Sequence, residues 1–145
     1  MQVSKATEYA VRAMMYLAMN GDKEVSQIMS ISKTWDVPEK FLRKISGQLS
    51  KHNLIKTARG LGGGIKLAKD ADKITLLDIV KAMESSVNFN KCICYPEECD
   101  NSKWCPVLPV WKEAQRSFNI ILGGVTLKQL VSGQEFIGHF NNIKN

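Results

Sequence analysis

The chain has 145 residues, 44% of them hydrophobic, and a formal net charge of +6, which fits one modest domain with a small appendage. The excess positive charge lies in the first half: residues 1–70 hold 12 Lys and Arg against 6 Asp and Glu, while residues 71–145 hold 8 against 8. No apolar run approaches the roughly 18 residues a membrane span needs, and the apolar stretch 10–19 is interrupted by Arg12 with no cleavage signature after it, so a cytoplasmic protein without a membrane partner is expected.

Ser4 is placed to cap a first helix running to about Asn20, where Ala10, Met14, Leu17 and Ala18 recur at helical spacing and Gly21 ends it. A second, short helix is expected from about Ser26 to Trp35, with Ile28, Ile31 and Trp35 on one face. Pro38 suits the first position of a third helix, because its missing N–H would be unbonded there anyway, and Asn53 suits a left-handed C-cap. Within that helix Phe41, Ile45 and Leu49 recur every four residues, joined by Leu42, while Lys40, Arg43, Lys44, Gln48 and Lys51 point elsewhere. One face is core and the other basic. Ile55 to Arg59 then reads as a strand, Gly60 to Gly63 as a tight turn and Gly64 to Leu67 as the returning strand.

Thr75 with Asp78 three residues on resembles a capping box, opening a fourth helix to about Glu84. Over the 21 residues from Ser85 to Cys105 no period appears, and such a stretch inside a compact domain needs something to order it. Pro106 is expected to start a fifth helix to Leu122, with Val107, Trp111, Ala114, Phe118 and Ile121 spaced 4, 3, 4 and 3 as in the seam of a two-helix coiled coil. Gly123 and Gly124 stop it, Thr126 caps a last helix to Ser132, and a polar tail follows. The fold class is thus mainly α with a small β-hairpin. A winged helix-turn-helix is expected over 1–84, a cysteine loop over 85–105, a long dimerisation helix with a short last helix over 106–133, and a tail over 134–145.

Residues 39–69 hold eight basic side chains and one acid, Glu39, a patch that attracts phosphate backbones by releasing counterions. With the third helix in the major groove, Lys40, Arg43, Lys44 and Gln48 would face bases and phosphates, and the wing would lay Arg59 and Gly60 along the backbone or minor groove. Double-stranded DNA is the expected partner. The glycines of the wing are not read as a dinucleotide loop, since Ile65-Lys66-Leu67 continues as a strand and not as a helix. They supply positive φ and close backbone approach.

All four cysteines, Cys92, Cys94, Cys99 and Cys105, fall within fourteen residues of that irregular stretch. Thiolates suit iron-sulfur clusters and zinc alike, and the spacing matches neither a zinc ribbon nor a ferredoxin run. Cys105 is expected at the start of a helix, where the macrodipole favours its thiolate. Of the two histidines, His52 reads as a helix cap and His139 lies in the tail. An enzyme such as a thiol-disulfide oxidoreductase is disfavoured, because no CxxC and no base beside a nucleophile is found.

The chain resembles the Rrf-two family of bacterial winged-helix regulators from about Met1 to Glu135. The resemblance rests on Thr7-Glu8-Tyr9-Ala10-Val11-Arg12, on Arg59-Gly60-Leu61-Gly62-Gly63-Gly64, on the loop cysteines and on Thr126-Leu127-Lys128-Gln129-Leu130. It implies a homodimer joined by the long helix, a palindromic operator, and three loop cysteines holding a cluster, often two-iron two-sulfur, whose state alters DNA affinity. Cys92, Cys99 and Cys105 match those three by position, with a first gap of six residues where the family usually has five, and Cys94 can substitute for Cys92. IscR-like members add a histidine where this chain has Leu108, and NsrR-like members a carboxylate of the partner's first helix where this chain has Glu8. The implied fourth ligand is therefore Glu8 in trans or Cys94. Arg43 and Lys44 replace uncharged or acidic side chains of IscR-like proteins, so the operator should differ. The leading expectation is a repressor sensing redox, nitric oxide or iron-sulfur status through the cluster, and the alternative replaces the cluster with zinc or a thiol switch.

Overall fold

The computed structural model describes residues 3–21 and 24–133. The expected tail over 134–145, with His139, lies outside them. Helix α1 (Lys5–Met19) opens where the Ser4 hydroxyl accepts from the Thr7 N–H at 3.2 Å, and closes at Asn20 before Gly21, whose φ is 101°. Helix α2 (Ile28–Trp35) starts two residues later than the expected Ser26. Ser26 exchanges backbone hydrogen bonds of 2.8 and 2.9 Å with Ile65 and so adds a third edge to the hairpin. A serine before an apolar run looks the same in sequence whether it caps a helix or bridges a strand 39 residues away.

Helix α3 (Glu39–Lys51) has Pro38 at its N-cap and not, as expected, at its first position; the Pro38 carbonyl accepts from Phe41 and Leu42. His52 stands at the C-cap and Asn53 has the left-handed φ of 55°. Its buried stripe is Leu42, Ile45, Ser46 and Leu49, whereas Phe41 is 48% exposed. A strict four-residue spacing drifts by about 40° per step around a helix, so Phe41 falls to the rim, where its ring meets Tyr9 at 5.8 Å.

Strands β1 (Ile55–Ala58) and β2 (Gly64–Leu67) pair antiparallel, Ile55 opposite Leu67 and Ala58 opposite Gly64. Ile55, Ile65 and Leu67 are buried and anchor the hairpin to the helices. A 3-10 turn (Ala71–Lys73) leads to α4 (Leu76–Met83), where the Thr75–Asp78 capping box closes with bonds of 2.9 and 3.1 Å.

The stretch 85–105 is not wholly irregular: it holds a single helical turn, α5 (Lys91–Cys94), and a 3-10 turn (Pro96–Glu98). Helix α6 (Leu108–Gly123) begins two residues after the expected Pro106. Either Pro106 or Pro109 can occupy a first turn, and the chain uses Pro109. Cys105 consequently precedes the helix. Its carbonyl accepts from the Leu108 N–H at 3.3 Å.

Helix α7 (Leu127–Ser132), capped by Thr126 and Gln129, returns to the winged domain. The Leu127 N–H donates to Ile74 O at 2.9 Å, and the side chain joins one core with Met14, Leu17, Ile31, Leu42 and Ile79, all at most 1% exposed. Each such burial contributes about 1.5–3 kcal/mol. Among the described residues no helix is long and apolar enough to cross a membrane.

Candidate nucleic-acid interface and cysteine loop

With Leu42, Ile45 and Leu49 seated in the core, the helical period forces Lys40, Arg43 and Lys44 outward together, and all three are exposed, with Gln48 half-buried beside them. Arg43 lies along one wall of an open groove of about 640 Å³ between α2, α3 and the wing, and Arg59 and Gly60 lie along the other. Sequence places these residues sixteen positions apart; the fold brings both guanidinium-bearing segments to one concavity. Arg43 Nη2 also meets Glu39 Oε2 at 3.4 Å one helical turn back. That exposed pair contributes little to stability, but it biases the guanidinium along the helix.

The wing is shaped by glycine at two kinds of position. Gly60 turns at φ 93°, a conformation that costs L side chains energy, and the turn closes with the Gly63 N–H donating to Gly60 O at 3.0 Å. Gly64 answers a different need: a Cβ there would strike the Ser26 carbonyl oxygen, the acceptor of the bridging strand. Leu61 at the tip stands clear of the protein.

Glu84 marks the point where the chain leaves the winged domain. Its Oε1 accepts from the Ser4 N–H at 2.9 Å and from the Thr7 hydroxyl. The Thr7 bond chiefly, and the Ser4 bonds after it, hold its carboxyl below the usual carboxylate range against the opposing effect of burial. The start of α1 is thereby tied to the end of α4 beside the cysteine loop.

None of the residues from Ser85 to Val107 is fully buried. Cys92, Cys94, Cys99 and Cys105 are all free and half-buried. The Cys94 thiol donates a long hydrogen bond to Asn90 O at 3.9 Å. Among the described residues no three His, Cys, Asp or Glu side chains are gathered closely enough to hold a metal ion. Glu8 is exposed on the first turn of α1, where Lys5 binds it at 2.7 Å and, by that hydrogen bond first and its charge second, lowers its carboxyl from the usual range. The donor set therefore fits a thiophilic metal or cluster in kind, as soft sulfur on a pliable segment, and the loop must close to bring three of them together.

The loop is attached to α6 by contacts the sequence reading missed. Gln115 is 6% exposed on the inner face of α6. It accepts from the Phe89 N–H at 3.0 Å and donates to Val87 O at 3.0 Å and Asn119 Oδ1 at 3.1 Å. The Phe89 and Phe118 rings meet edge to face at 5.5 Å. The available signal was Gln115 standing seven residues from both Leu108 and Leu122, a polar residue on an apolar stripe. The expected seam is only partly open: Val107 and Trp111 are exposed by 44% and 38%, while Ala114, Phe118 and Ile121 are half-buried and Phe118 meets the loop. On the other side of α6, Val110 and Ile120 are exposed by 62% and 51%.

Residues 3–133 match the Rrf2 family, described as an iron-dependent transcriptional regulator, and the chain belongs to that family of transcriptional regulators. It is 37% identical over 135 residues to protein aau3 of Rhizobium meliloti, covering 92% of this chain and 87% of that one. To the HTH-type transcriptional regulator NsrR of Oceanobacillus iheyensis it is 30% identical, covering 93% and 92%. Among solved structures it resembles CymR, the global cysteine regulator of B. subtilis, with a TM-score of 0.76 at 24% identity over 93% of this chain and 99% of that one. It also resembles T. potens IscR, with a TM-score of 0.72 at 26% identity over 92% and 89%. The winged-helix fold expected from sequence is thus the fold of its structural relatives.

Proposed function

We propose that this regulator is a cytoplasmic DNA-binding repressor, working as a homodimer on a palindromic operator, whose affinity is set by an iron-sulfur cluster in the cysteine loop. The observation that carries it is the packing of one thiol-rich, core-free loop against α6, the helix whose far side leaves Val110 and Ile120 bare. Cys92, Cys99 and Cys105 would hold the cluster, two-iron two-sulfur by family likeness, with Cys94 or Glu8 of the partner subunit as the fourth ligand. Bound there, it supplies a centre whose charge and integrity follow redox, nitric oxide or iron-sulfur status.

The protein's own part is mechanical. The loop meets α6 through Gln115 and leaves the winged domain directly after Glu84, which is tied to the start of α1, so a change in loop shape would shift α6 against the recognition helices. Two copies of α3 in successive major grooves would present Lys40, Arg43, Lys44 and Gln48 to the half-sites, with Arg59 and Gly60 on the flanking backbone. Anaerobic reconstitution with iron and sulfide tests this by visible absorption: a coloured protein is expected, and a colourless one with all four thiols still titrating as free removes the cluster.

A second reading keeps DNA binding and gives the loop a zinc site or a thiol switch. Four free thiols in one pliable segment favour it, because a disulfide needs only two sulfurs, which surrender two protons and two electrons to an external oxidant. Stoichiometric zinc with negligible iron in protein purified without oxygen would select the zinc form.

A further inference from the structure

We infer that Gln115 is the positioning residue through which the cysteine loop acts on α6, an inference that rests on the loop controlling DNA affinity. Glutamine has one acceptor and two donor protons at its amide, and here all three are engaged: the Phe89 N–H, the Val87 carbonyl and Asn119 Oδ1. Two of the three partners are loop backbone. Gln115 is also the only buried residue of α6 besides Leu108. The other polar residues of that helix are exposed or half-buried.

The placement matters because the loop has little else. No residue between Ser85 and Val107 is fully buried, so its attachment rests on a few directed contacts, namely the Gln115 amide, the Phe89–Phe118 ring pair at 5.5 Å and Asn90. With its amide turned so that both groups are satisfied, Asn90 accepts from Trp111 Nε1 at 3.3 Å. The three lie on Phe118, Gln115 and Trp111, successive turns of one helix. Cys92 and Cys94 follow within five residues of Phe89. Any rearrangement that gathers the thiols therefore pulls on the segment Gln115 grips. A buried amide with fixed partners either holds that segment or leaves polar atoms unpaired, so it behaves as a two-position latch and not as a soft contact.

The test uses the full chain with Gln115→Leu, which fills the space and removes all three bonds, and Gln115→Glu, which keeps the acceptor for Phe89 and loses the donors. Amide hydrogen exchange on the metal-free proteins should show faster exchange over residues 87–90 in both variants, with the winged-domain amides unchanged. Operator affinity at fixed salt is then measured for each protein metal-free and after anaerobic reconstitution with iron and sulfide. Wild type should show a ratio in the range of about 5- to 150-fold that allosteric coupling spans, and Gln115→Leu a ratio near one at unchanged metal-free affinity. Unaltered exchange at 87–90 overturns the latch, as does a Gln115→Leu ratio equal to that of wild type. A wild-type ratio of one overturns the sensing role and the latch together, which separates the two failures.

Discussion

The winged domain and the cysteine loop are built on opposite principles. In the winged domain α1, α2, α3, α4 and the hairpin pack around side chains such as Met14, Leu42 and Ile79 that exclude water entirely, whereas residues 85–107 bury none completely. The first region is a rigid reader; the second holds shape through single hydrogen bonds and one ring pair. Segments of low local stability are where proteins place the parts that must move. A loop that can be reorganised at small cost, next to a reader that cannot, is a suitable division for a sensor.

The largest way to break the contrast is at the core. Leu42→Ala should cost about 2–5 kcal/mol of global stability, read as a lowered urea midpoint with an unchanged slope. Next, Gly64→Ala drives a Cβ into the Ser26 carbonyl and should cost about 1–3 kcal/mol, as overpacking does, with loss of amide protection at Ile65. On the DNA face, Arg43→Ala and Arg59→Ala should each weaken operator binding by about 1–3 kcal/mol at fixed salt, Arg43 alone relaxing base preference. Unchanged affinity in both would remove the proposed orientation of α3.

The finest test concerns the tie at Glu84. Its pKa is lowered from 4.5 in the fold, so its ionised form stabilises the folded state above that value and the benefit fades as pH falls through the lowered pKa. Denaturant midpoints of wild type and Glu84→Gln should therefore differ at neutral pH and converge in acid. A constant gap would assign the effect to packing.

Much of this organisation was legible in the chain. Helical spacing located α1 and α3, Thr75 and Thr126 announced their helices, and four clustered cysteines marked the loop. What stayed hidden depends on partners and phase: Ser26 looked like the start of a helix until Ile65 claimed its backbone, Phe41 looked like core until Leu42 set the phase, and Pro106 looked like the helix start although Pro109 stands in the first turn. Gln115 was passed over because a polar residue in a long helix is ordinarily solvated, and only the fold shows the backbone of Val87 and Phe89 closing over it. The convergence of Arg43 and Arg59 on one groove likewise needs the hairpin's return.

The most direct measurement is the operator Kd of one preparation, reconstituted anaerobically with iron and sulfide and then stripped by chelation, at a single salt concentration. If the pliable loop governs the rigid reader, the two values differ by at least about fivefold, the lower end of allosteric coupling. Equal values, with the visible spectrum proving that the cluster was present and then gone, would contradict it.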